Sequence, residues 1–186
     1  MEKDRTFSET YSFLENATLS VEAKAILMLL KVWPETEKKD GHCTARQIQY
    51  YLHMSETRYR KHLTFLESEG YVEALSTRCL GQKRTEIVTL KEITDTAETA
   101  PAGLWDVVAD PDYPITAKVV YAYLALSTVD GKGEFPLGKL LVDFGFSANT
   151  ARRYLRYLAE VSLIEVSHAD EERSQSPWAF TLLAGT

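Results

Sequence analysis

Two cysteines in 186 residues, Cys43 and Cys79, are too few and too far apart for a disulfide scaffold or a zinc ribbon, so reduced thiols in a cytoplasmic protein are expected. Long hydrophobic runs are missing too. The longest, Ala25 to Leu30, falls far short of a bilayer span, and the opening MEKDRTFSET holds no signal-peptide core. A soluble chain with no membrane partner is the expectation. Catalytic constellations are equally scarce. His42, His53, His62 and His168 never stand at paired ligand spacing, and no Cys-x-x-Cys, His-Glu-x-x-His, phosphate loop or Gly-x-Ser-x-Gly elbow occurs. The acidic clusters at Glu67 and Glu69 and at Asp170 to Glu172 have no partner that would make a general acid and base pair. These absences argue against an enzyme, and no cofactor, metal or small-molecule ligand is expected.

Apolar residues make up 45% of the chain and charged residues 26%, which excludes global disorder and leaves enough apolar surface for a packed core. The net charge of -6 is unevenly distributed: residues 1–94 hold 14 Lys+Arg and 14 Asp+Glu, whereas residues 95–186 hold 7 and 13. All of the excess acidity lies in the second half.

The chain contains a repeat. SETRYRKHLTFLESEGYVEAL, from Ser55 to Leu75, aligns with SANTARRYLRYLAEVSLIEV, from Ser147 to Val166, pairing Arg60 with Arg152, Lys61 with Arg153, Leu63 with Leu155 and Leu66 with Leu158. Upstream, LSVEAKAILMLL matches YPITAKVVYAYL around Ala23-Lys24 and Ala117-Lys118, at a spacing two residues longer.

Each copy begins with an apolar helix, with Ile26, Leu27 and Leu30 or Val120, Tyr121 and Leu124 spaced for a buried stripe. After a polar loop comes a short helix, about Ala45 to Leu52 or Leu137 to Phe144. His53 and Gly145 close these helices, and Gly145 is the easier occupant of a left-handed position. Ser55 and Ser147 are suited to capping a third helix. A two-stranded hairpin follows in each copy, around Gly81 in the first and between Ile164 and Leu182 in the second. The polar, Pro- and Gly-broken stretch before Leu104 is a linker, so the expected division is 1–94, a linker 95–103, and 104–186. The expected fold is mainly α with small β-hairpin wings: two tandem winged helix-turn-helix domains.

The segments LSVEAKAILMLL and MSETRYRKHLTFLESEGYV resemble the helix-turn-helix domains of bacterial plasmid and phage replication initiators, and the N-terminal winged helices of DnaD-like primosomal proteins. YPITAKVVYAYLAL and GFSANTARRYLRYLAEVSLIEV are similar, and the second helix-turn-helix lies closer to the family pattern. The resemblance implies sequence-specific binding of double-stranded DNA, in transcriptional control or in replication initiation of a plasmid, phage or other mobile element.

In such a motif the third helix enters the major groove. Helical spacing turns Tyr59, Leu63 and Leu66 inward and Thr57, Arg60, Lys61 and Thr64 outward in copy one. In copy two Ala151, Leu155 and Leu158 face inward, while Asn149, Thr150, Arg152, Arg153 and Arg156 complete the candidate DNA-contacting set. In copy one the turn and wing add Arg58, Arg78, Lys83 and Arg84, which suit phosphate or minor-groove contact, whereas the second wing carries Asp170, Glu171 and Glu172. Acidic tandem winged helices also serve as protein-interaction scaffolds, and that alternative stands beside DNA binding. Tyr50, Tyr51, Tyr154 and Tyr157 read as core or dimer contacts rather than base-stacking platforms. Phe7, Tyr11 and Phe13 suit either a dimerisation arm or a strap over the first domain, so a homodimer and a single chain are both open.

Overall fold

The computed structural model describes residues 9–34, 43–77, 85–91, 100–128, 131–167 and 178–183. Among them the chain is α+β, with seven α-helices and two three-stranded antiparallel sheets. A 3-10 turn at Glu9–Leu14 leads to α1 (Val21–Val32), β1 (Cys43–Thr44), α2 (Ala45–Tyr51), α3 (Glu56–Ser68), β2 (Val72–Thr77) and β3 (Thr85–Leu90). Then α4 (Leu104–Ala109) precedes α5 (Ile115–Ser127), β4 (Lys132–Phe135), α6 (Leu137–Phe144), α7 (Ala148–Glu160), β5 (Ile164–Ser167) and β6 (Trp178–Leu182). Both halves thus run helix, strand, helix, helix, strand, strand.

Local sequence accounts for most boundaries. Ser20, Ser55 and Ser147 hold extended backbone and accept hydrogen bonds from Ala23, Arg58 and Thr150, satisfying N–H groups that the first helical turn leaves without partners. Thr44 and Gln47 form a reciprocal capping box at the start of α2. α2 stops at Tyr51, one residue earlier than its apolar pattern suggests, with Leu52 as its cap.

The repeat extends to backbone strain. His53 (φ 47°) and Gly145 (φ 64°) are left-handed at equivalent positions, as are Gly70 (φ 79°) and Ser162 (φ 57°). Each half therefore has one glycine and one side-chain-bearing residue where the chain reverses after a helix.

The hairpins keep the repeat in register: Val72 pairs with Leu90 and Ile164 with Leu182, both members shifted by the same 92 positions. The structure adds a third strand to each, giving sheet orders β1-β3-β2 and β4-β6-β5. β1 has two residues and β4 four, too few for alternation to reveal them.

The stripe expected on the first helix of each copy, Ile26, Leu27 and Leu30 or Val120, Tyr121 and Leu124, is buried, and burial extends round the rest of the helix. Every residue from Ala23 to Leu30 in α1, and from Ala117 to Ala125 in α5, is buried. The two helices pack along each other through the middle of the molecule, with α4 against both and α3 and α7 on their respective outer sides. A helix covered on all sides has no solvent face to keep polar. The apolar core runs through both halves without a break. Tyr11 and Phe13 are buried against the same chain, which makes this segment a strap; Phe7 lies outside the described residues. No helix among the described residues is long and apolar enough to cross a membrane.

Candidate nucleic-acid interface

Burial turns α3 and α7 as the spacing predicts. Tyr59, Leu63 and Leu66 are buried on α3, and Ala151, Leu155 and Leu158 on α7. Thr57, Arg58, Arg60, Lys61 and Thr64 are exposed, as are Asn149, Arg153 and Arg156, while Thr150 and Arg152 are half-buried. Thr150 also bonds through its hydroxyl to Ser147, at 2.9 Å, so the cap holds it in place. Arg78, Lys83, Arg84 and the acidic second wing at Asp170 to Glu172 lie outside the described residues.

The two outer faces differ in how their charges are compensated, which residue order along either helix does not reveal. Arg58 pairs with Glu22 at the start of α1. Arg60 is held by Glu56 one turn earlier, at 2.6 Å, and by Glu86 on β3. The Glu56 carboxyl is lowered by its hydrogen bond from Arg60, and the Arg60 guanidinium is raised by Glu56 and then Glu86. Burial works to raise Glu22, but the hydrogen bond and charge of Arg58 outweigh it and leave the carboxyl lowered. Glu56 and Arg60 could have been found from their four-residue spacing. Glu22 and Glu86 reach α3 only through the tertiary fold.

On α7, Arg152, Arg153 and Arg156 have no carboxylate partner among the described residues. Arg153 instead lies over the Tyr154 ring, 4.9 Å from its centroid, which steadies the guanidinium and leaves its charge uncompensated.

The aromatic side chains divide. Tyr51 is half-buried against Trp33 and Trp105, with ring centroids 5.3 and 5.7 Å away, and Tyr154 stacks on Phe146. Tyr50 departs from the core expectation: it is 63% exposed and, with Arg46, Glu56, Arg60 and Glu86, lines a groove of about 890 Å³ between α2, α3 and β3. His62 is half-buried, with Nδ1 3.1 Å from the Ser20 hydroxyl, and burial lowers its pKa. Among the described residues, no three His, Cys, Asp or Glu side chains gather as a metal site.

The chain matches no protein-family model and no curated protein sequence.

Proposed function

We propose that the chain is a tandem winged helix-turn-helix protein of the cytoplasm that binds duplex DNA at specific sequences. It would act in transcriptional control or in replication initiation of a plasmid, phage or other mobile element. The observation that carries this reading is the α7 face. Three arginines without carboxylate partners among the described residues project from a helix whose opposite side is locked into the core by Ala151, Leu155 and Leu158.

A helix about 10–12 Å across fits the B-DNA major groove, and its leading residues meet base edges. Arg152 and Arg153 suit bidentate contact with guanine, Asn149 suits adenine, and Arg156, a turn further on, suits a backbone phosphate. Gly145 in the left-handed conformation closes α6, and the Ser147 side chain caps the start of α7 by accepting from the Thr150 N–H, so the turn sets where α7 begins.

Selection from a random duplex pool, followed by gel shifts across a salt series, tests the proposal. Affinity should fall linearly on logarithmic axes, by about 0.9 per phosphate neutralised. Replacing Arg152, Arg153 and Arg156 together by alanine should abolish selection. Failure of the chain to retain any duplex at low salt would overturn the reading and favour the protein-scaffold alternative.

A further inference from the structure

The outer faces of α3 and α7 occupy the same place in the repeat and begin with the same positive charge. Copy one presents Arg58, Arg60 and Lys61; copy two presents Arg152, Arg153 and Arg156. The three carboxylates that touch the copy-one arginines are Glu22, Glu56 and Glu86. At the corresponding positions copy two has Thr116, Ala148 and Trp178, all uncharged. The carboxylates come from three separate elements, α1, α3 and β3, and converge on one helix face. Three cations opposed by three anions leave that face locally neutral.

We infer that α7 is the chain's single reading helix for duplex DNA, because Glu22, Glu56 and Glu86 mask α3 and prevent the duplicated helix from acting as a second reading head. This rests on the proposed function of α7. The pairs are partly exposed, with Arg58 and Arg60 side chains each 50% exposed, so they contribute little to stability. Their effect on DNA is larger. To reach a phosphate, either arginine must leave a carboxylate, and the abandoned carboxylate then faces the same phosphate with like charge. Arg60 carries this penalty twice. One chain therefore occupies one groove-length site, and a second reading head must come from another molecule.

The test uses the full chain on its selected duplex, with hydroxyl-radical footprinting and a salt series. Glu22→Gln, Glu56→Gln and Glu86→Gln combined should lengthen the footprint and steepen the logarithmic salt slope by about 0.9 for each further phosphate neutralised. In the chain that keeps all three glutamates, Arg58→Ala, Arg60→Ala and Lys61→Ala combined should change affinity less than about twofold, against tenfold or more for the α7 triple at about 1.4 kcal/mol per decade. That measurement needs no carboxylate variant to fold. An α3 triple as damaging as the α7 triple overturns the mask, and so does an unchanged footprint and slope in a folded glutamine variant. Loss of the α7 requirement instead strikes the proposed function itself.

Discussion

Lys118 donates its ammonium to the backbone carbonyl of Tyr51, and its repeat counterpart Lys24 donates to the carbonyl of Asp143, the counterpart of Tyr51. Each half thus sends one buried lysine from its first helix to the C-terminal turn of the other half's second helix. That turn has carbonyls with no intrahelical donor and the negative end of the helix dipole, both of which favour a cation. Lys24 also donates to the Leu14 carbonyl at 2.7 Å and lies over the Phe144 ring, so it ties the N-terminal strap to the same junction. Asp143, itself buried, accepts from the Tyr123 hydroxyl at 2.7 Å.

Lys118→Ala is expected to destabilise the chain by about 2–4 kcal/mol. It removes three carbons and the ammonium from a filled interior, and with them the hydrogen bond that Lys118 gives the Tyr51 carbonyl. Urea denaturation followed by circular dichroism measures it, and a loss under about 0.5 kcal/mol, ordinary for a surface change, contradicts the junction's importance.

Stability should rise between about pH 8 and pH 10 and then fall. Burial lowers Lys24 and Lys118 from 10.5 to about 8, so in this window the unfolded chain binds more protons than the folded one and alkalinity favours folding. Burial also raises Tyr121 to about 12 and pushes Tyr59 and Tyr123 higher still. Above about pH 10 the unfolded tyrosines lose protons that the folded ones keep, which reverses the slope. A denaturation midpoint that falls steadily from pH 8 upward contradicts the assignment.

The left-handed positions give a paired prediction. Ser162→Gly and His53→Gly remove a side chain from positive φ and are expected to stabilise by about 0.5–1 kcal/mol each. Gly145→Ala is expected to cost a similar amount, although the added Cβ would meet no atom within 4 Å, because the penalty comes from the backbone and not from crowding. Thermal melts of the single variants check the signs.

On DNA, Asn149→Ala and Arg156→Ala should separate specificity from affinity. Loss of the amide is expected to relax base preference at one position, by about 1–3 kcal/mol, with little change in salt slope. Loss of Arg156 should weaken all sequences alike and reduce the slope by about 0.9. Competition assays with single-base variants of the selected site distinguish the two.

Much of the local architecture was legible because it depends on short spacings. Ser55 and Ser147 marked the helix starts, the 92-residue offset carried through to hairpin register, and period-3.6 burial turned Leu63, Leu66, Leu155 and Leu158 inward. The candidate site was legible only in part. The basic residues of α3 and α7 face outward, but Glu22 and Glu86 are 36 and 26 residues away from the arginines they neutralise.

The sequence by itself determined that this protein is a duplicated unit, where α3 and α7 begin, and which face of each is cationic, since the repeat is read by direct alignment and the other two follow from residue order within a few turns. Tertiary structure alone decided that α1 and α5 are buried on every side, that Lys24 and Lys118 join the two halves, and that one cationic face is compensated while the other is not. These outcomes depend on which distant groups are brought within a few ångströms of one another. Burial and Coulomb interactions are set by that proximity, whereas helix periodicity is set by the chain alone.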